Sequence, residues 1–314
     1  MDNNFIRSIK LLTIAFVISA PSLVFAQYDP MFTQYMFNEM YINPAYAGSR
    51  ECISATALYR NQWSGIEGSP KTQTFSIHGP LQNQKVGIGL NLLNEEIGVT
   101  HNTVLFSNYA YRVQLGKGKF SLGLQAGIIN HQDRFLELNT ATDGDPKFSA
   151  NTPNLILPNA GFGMYYYTET FYAGFSIPRL IENRIDVSKN KMVTNTTNSK
   201  YWHYFTTVGK IFTLNENYKL KPAFMIKVVK GAPVEFDLNS NIFVKEKWWL
   251  GCGYRSGDAF TCMTGFQFTP QFRMGYSFDY TTTELQDYSH GSHEITIGYD
   301  FSFNKKRVIT PRLF

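Results

Sequence analysis

Cysteine is scarce in this sequence, and so are charge and long apolar runs. Of 314 residues only three are cysteine, namely Cys52, Cys252 and Cys262, so at least one is unpaired, and none stands in a CxxC or other metal-ligating spacing. Cys252 and Cys262 read as small apolar surface residues that could face each other on neighbouring strands. Charged residues make up 17% of the chain, against about a quarter in an ordinary soluble enzyme. The formal net charge is +5, too mild for nucleic acid as a partner. Beyond the first residues no apolar run is long enough for a transmembrane helix.

The familiar catalytic arrangements are missing as well. There is no G-x-S-x-G elbow, H-E-x-x-H helix, P-loop or paired-cysteine zinc site. His78, His290 and His293 sit near turns or strand ends; His290 and His293 flank Gly291 and could touch a metal, but two solvated loop histidines are the ordinary case. Asp143-Gly144-Asp145 lacks the further oxygen ligands and closing Glu of a calcium loop. The expectation is therefore a protein that is not an enzyme, with no cofactor and no bound metal.

What is present begins with an export signal. Arg7 and Lys10 precede an apolar run from Leu11 to Ile18 that is too short to span a bilayer, and Val24-Phe25-Ala26 forms a small-x-small cleavage site. Cleavage is expected between Ala26 and Gln27, and Gln27 in place of Cys argues against an N-terminal lipid anchor.

Aromatic residues are abundant, at 16%, and much of the chain alternates with period two. Between Ser292 and Phe303, Ile295, Ile297, Tyr299, Phe301 and Phe303 point one way, while Glu294, Thr296, Gly298, Asp300 and Ser302 point the other. Phe272, Met274, Tyr276, Phe278 and Tyr280 alternate with Arg273, Gly275, Ser277 and Asp279. Val234, Phe236, Leu238 and Ile242 alternate with Glu235, Asp237, Asn239 and Asn241. Carboxylates are costly in hydrocarbon, so the polar faces should line a wet lumen and the aromatic faces should meet lipid. A soluble β-sandwich also alternates, but the long strands, the aromatic outer faces and the export signal favour an all-β transmembrane antiparallel barrel.

Strands are expected over Cys52–Arg60, Lys71–Gly79, Lys85–Asn94, Asn102–Leu115, Phe120–His131, Pro158–Thr168 and Thr170–Pro178. The second half continues with Trp202–Leu214, Tyr218–Lys230, Val234–Lys245, Trp248–Arg255, Ala259–Thr269, Gln271–Thr281 and His293–Phe303. That makes about fourteen, an even number as in bacterial outer-membrane barrels. Short connections follow even-numbered strands, with Gly231-Ala232-Pro233 as an exception on the outer side, and the long ones, Gln132–Leu157 and Leu180–Tyr201, follow odd-numbered strands. This parity places both termini in the periplasm of an integral outer-membrane protein. Tyr165-Tyr166-Tyr167 and Trp248-Trp249 should belong to the interfacial aromatic girdles. Lumenal Asp237, Asp279, Glu294 and Asp300 should pair with Arg112, Arg273 or Lys227.

The division expected is a signal peptide over 1–26, a pre-barrel segment over 27–50, the barrel over 51–303 and a basic periplasmic tail over 304–314. The pre-barrel segment has too many apolar side chains to leave in water, among them Met31, Phe32, Tyr35, Met36, Phe37, Met40, Tyr41 and Ile42. A short helix with Asp29 as N-cap and Pro30 at N1 is expected, broken at Asn43-Pro44. The segment should start in the periplasm and fold into the lumen, or across its periplasmic mouth, as a plug that offers aromatic anchors to a partner.

This segment also carries a resemblance. Gln27-Tyr28-Asp29-Pro30, the run Phe32-x-x-Tyr35-Met36-Phe37-Asn38, and Tyr41-x-Asn43-Pro44-Ala45-Tyr46-Ala47-Gly48 resemble the start of the PorP/SprF family of the type IX secretion system of Bacteroidetes. Glu39-Met40 departs from the more apolar pair expected there. The resemblance implies a non-enzymatic outer-membrane barrel of the protein secretion and gliding motility machinery. Its implied partners are outer-membrane lipid and either periplasmic components of the system or the C-terminal domains of secreted adhesin cargo. Asn43-Pro44-Ala45 also resembles the N-terminal hatch of FadL-like channels, so a small-molecule transporter or porin stands as the alternative.

Overall fold

A strand that is apolar on one face and polar on the other can cross a bilayer only if its edge groups are paired all the way round. The computed structural model, which describes residues 30–138, 150–186, 191–199 and 202–301, solves this with a closed wall of fourteen antiparallel strands. The first half comprises β1 (Ile53–Asn61), β2 (Lys71–Pro80), β3 (Val86–Ile97), β4 (Thr100–Leu115), β5 (Gly118–Asp133), β6 (Leu155–Tyr167) and β7 (Phe171–Ile177). A small hairpin, β8 (Glu182–Asp186) and β9 (Lys191–Thr196), stands apart from the wall in the next connection. The wall resumes with β10 (His203–Lys210), and a two-residue strand, β11 (Phe212–Thr213), flanks β12 (Tyr218–Val229). It ends with β13 (Glu235–Val244), β14 (Trp248–Arg255), β15 (Ala259–Gln267), β16 (Phe272–Thr281) and β17 (Ser292–Phe301). Neighbours in sequence pair throughout, β10 pairs both β7 and β12, and β1 pairs β17, which closes the cylinder.

The alternation has the sense expected. On β17, Ile295, Ile297, Tyr299 and Phe301 are exposed on the outside while Glu294, Thr296 and Asp300 are buried inside. Ile88, Tyr109 and Leu124 repeat the apolar outer face on β3, β4 and β5. The same alternation divides the aromatic clusters that were expected to sit together in the girdles. Tyr165, Tyr167 and Trp249 point inward and are buried, and of the two clusters only Tyr166 and Trp248 face out.

One end of the barrel carries tight turns, such as 116–117 and 245–247, and the other carries the long connections. The long-connection end also has short links at 98–99, 230–234 and 256–258, more than the sequence suggested. The β8–β9 hairpin lies inside a stretch read as plain loop.

Residues 30–49 are buried apart from Tyr41, which is partly exposed, and they pack against the inward faces of the strands. No helix starts at Pro30. The segment is instead a 3-10 turn at Tyr35–Phe37, one α turn at Glu39–Ile42 and a second 3-10 turn at Pro44–Tyr46. A chain surrounded by wall buries side chains on every side, so nothing selects the single apolar stripe that a longer helix would need. The expected signal peptide, its Ala26–Gln27 cleavage site, Tyr28, Asp29, Asp143-Gly144-Asp145 and the 304–314 tail lie outside the described residues.

Candidate functional site

An irregular backbone inside a barrel has no ladder to satisfy its polar groups, and each unpaired group is costly. Here the wall supplies the partners. The backbone amides of Thr33 and Gln34 donate to the two oxygens of Glu294, at 2.9 and 2.8 Å. Asn91 Nδ2 donates to the Met40 carbonyl, Ser176 Oγ to that of Ile42, and Ser121 Oγ to that of Ala45. Asn38 exchanges bonds with Thr74 and Ser76. The Gly48 amide donates to His78 Nδ1 at 2.9 Å.

These contacts fix the direction of the segment. Glu294 and its neighbour Asp279 lie near the long-connection ends of β17 and β16, whereas His78 and Arg112 lie towards the tight-turn ends of β2 and β4. The segment therefore runs the length of the lumen, from the long-connection end to the tight-turn end, before entering β1. It does not simply cover the tight-turn mouth.

Three buried polar groupings hold it. At the long-connection end, Thr33 Oγ1 donates to Asp279, which pairs with Arg60 at 2.7 Å and with Arg255 at 3.4 Å. Arg60 also reaches Glu294 at 3.2 Å, and Arg255 reaches Asp237 at 3.0 Å. At the tight-turn end, Arg50 and Arg273 share Asp300, at 2.8 and 3.1 Å. Between them lies the buried Glu39, with Lys221, Tyr165 and Tyr172 around its carboxyl. The Lys221 ammonium also lies 5.4 Å from the Phe37 ring centre and 5.6 Å from that of Tyr172, within cation–π range.

Close approach of the segment depends on wall positions that have no side chain. A Cβ at Gly123 would lie 2.1 Å from the Ala45 nitrogen, and one at Gly163 would lie 2.0 Å from Asn43 Oδ1. In the space so made, Asn43 Oδ1 accepts from the Ala45 amide while its Nδ2 donates to the Met164 carbonyl. Asn43 with Pro44 thus starts the last 3-10 turn, a more specific role than breaking a helix.

Of the residues the sequence singled out, Pro30, Phe32, Tyr35, Met36, Phe37, Tyr41, Asn43, Pro44, Tyr46 and Gly48 come together in this one interior run. Their aromatic contacts are with the wall or with one another, as in Phe37 with Trp249 and Tyr46 with Tyr165. Phe32, Tyr35 and Tyr46 are buried, at 0 to 3% exposure. The carboxylate pairing differs from expectation in detail. Arg273 does pair with Asp300, but Asp237, Asp279 and Glu294 use Arg60 and Arg255, Lys227 takes Glu235, and Arg112 bonds the Ala47 carbonyl. Arg60 and Arg255 stand at polar-face positions of alternating runs, which was the available signal. His293 Nδ1 meets the Tyr276 hydroxyl, and no group of three or more potential metal ligands occurs among the described residues.

Between the segment and the wall a crevice of about 20 Å³ remains, lined mainly by apolar groups including Met31, Phe32, Phe106, Phe205 and Met225. That is room for little more than one water molecule.

Three comparisons with known proteins bear on this arrangement. A family model described as type IX secretion system membrane protein PorP/SprF matches residues 24–299. Among curated proteins, none matches the sequence. Among solved structures, the CymD monoaromatic hydrocarbon channel is similar with a TM-score of 0.51 at 11% identity, covering 88% of this chain and 94% of that one. The outer membrane protein Omp33 of Acinetobacter baumannii gives 0.48 at 8% identity, covering 80% and 98%. At such identities the likeness is one of fold, that of an outer-membrane barrel.

Proposed function

Since the chain belongs to the PorP/SprF family of type IX secretion system membrane proteins, we propose that it is a non-enzymatic component of that system which anchors or docks other proteins at the outer membrane. In this reading residues 27–50 plug a barrel formed by 51–303, and the tail over 304–314 lies in the periplasm. The partners are periplasmic components of the system or the C-terminal domains of secreted cargo. With the aromatic side chains of the segment turned into the wall, docking falls to the barrel's ends.

The observation that supports the reading is the burial of residues 30–49 against the inward faces of the strands. A transporter of the FadL kind needs space for its solute, and a porin needs a continuous aqueous path. Residues 30–49 pack against the inward faces of the strands, and the crevice beside Met31 and Phe32 holds about 20 Å³.

The experiment is purification of the tagged protein from native membranes in mild detergent. Recovery within a larger envelope assembly is the expected result. Recovery as a lone barrel that conducts small solutes would support the transporter alternative and remove this one.

A further inference from the structure

At the tight-turn end the wall has a step. β3 stops at Val86, opposite Tyr111 of β4, while β4 continues to Leu115 in its pairing with β5. The projecting β4–β5 hairpin and the β2–β3 turn enclose a groove of about 360 Å³ between them. Lys85, Arg112, Lys119 and Gln114 supply its polar lining, and Tyr111 and Val113 its apolar side.

The charges in this groove are unbalanced. Arg112 is only 3% exposed, yet it has no carboxylate in ion-pair range among the described residues. Its Nε and Nη1 donate to the Gln84 and Ala47 carbonyls, at 3.3 and 3.2 Å, and Nη2 has no acceptor. Nη2 is buried and faces Gly48, so the guanidinium acts on the groove through its uncompensated charge, which is costly to bury unless an anion is brought near it. Lys119 is balanced by Glu51 at 2.6 Å, whereas Lys85 is exposed and has no carboxylate partner among the described residues. Beside these cations, Tyr111 and Val113 are each 45% exposed on the outer, lipid-facing side of β4.

A ligand suited to the groove must carry an oxyanion at one end and hydrocarbon at the other. We propose that it binds the headgroup phosphate of an anionic phospholipid, with an acyl chain lying over Tyr111 and Val113. Lys85 meets the phosphate directly, and the Arg112 charge holds it from below. The site lies outside the N-terminal segment, and its test does not depend on the secretion reading.

The test is native mass spectrometry of the full, detergent-purified chain titrated separately with phosphatidylglycerol, phosphatidylcholine and inorganic phosphate. The expected result is one retained phosphatidylglycerol per barrel at concentrations where phosphatidylcholine is lost. Lys85→Gln should weaken that retention roughly fivefold, the worth of one cation at a lipid surface, and Lys85→Arg should restore it. Lys85 is exposed at a turn, so the Gln variant should fold, which an unchanged heat-modifiable gel shift would verify. Equal retention of the two lipids, an unchanged Lys85→Gln variant, or displacement of the lipid by equimolar inorganic phosphate would each overturn the proposal.

Discussion

Arg60 on β1 and Asp279 on β16 meet at 2.7 Å inside the barrel, each side chain 2% exposed, and Thr33 of the N-terminal segment donates to the same carboxylate. Wall and interior are thereby joined through one carboxylate. Removing one partner of a buried pair leaves the other charge uncompensated and typically costs about 3–5 kcal/mol. Asp279→Asn should therefore lower the temperature at which the folded band disappears in a heat-modifiability gel. Replacing Arg60 and Asp279 together with Met and Leu also takes from buried Glu294 its Arg60 partner, so the double variant should be less stable than Asp279→Asn alone. A double variant as stable as the single one would show that Arg60 does not hold Glu294.

Gly123 tests the close approach of the segment to the wall. A methyl group there would meet the Ala45 backbone nitrogen at 2.1 Å, and backbone on both sides leaves little freedom to yield. Gly123→Ala should leave the barrel folded but push the segment off β5, so that chymotrypsin cuts at Phe32 or Tyr35 in detergent. Equal resistance of variant and parent would mean that the two backbones are not in contact.

Asn43→Ala removes both the bond to the Ala45 amide and the one to the Met164 carbonyl. Loss of a cap of this kind costs about 1 kcal/mol, and leaving the buried Met164 carbonyl unpaired adds about 1–3 kcal/mol. A clear fall in the thermal midpoint by circular dichroism is expected, and an unchanged midpoint would refute the capping role.

Cys252 and Cys262 stand directly opposite each other on β14 and β15, unpaired and exposed on the outer face. Directly opposed residues in an antiparallel pair have Cα separations of about 4.5–5.5 Å, within disulfide range. Copper–phenanthroline should yield one intrachain disulfide between them and leave Cys52 as a thiol, as read by peptide mapping. Cross-linking of Cys52 in their place would contradict the β14–β15 register.

Strand positions were legible because a lipid-facing wall imposes alternation that nothing else in the sequence disturbs. Trp248–Arg255 was placed to the residue, and most other ends fall within two or three. Aromatic clusters misled where composition was allowed to outweigh period. Tyr165 and Trp249 were assigned to a girdle although each neighbours a residue that must point the other way. The interior of the N-terminal segment was legible only as an excess of apolar side chains. Its direction through the barrel and its turns depend on contacts such as Thr33 with Glu294, which lie 261 positions apart in sequence. Wall glycines such as Gly123 carried no local signal, because the constraint on them comes from a chain that reaches them only in three dimensions.

Planar-bilayer recording tests the central claim most directly, by comparing the full chain with a variant lacking residues 30–49. The full chain should show no steady ion conductance, and the deletion should open a large, steady one through the vacated lumen. Steady conductance by the full chain, equal to that of the deletion, would contradict the account.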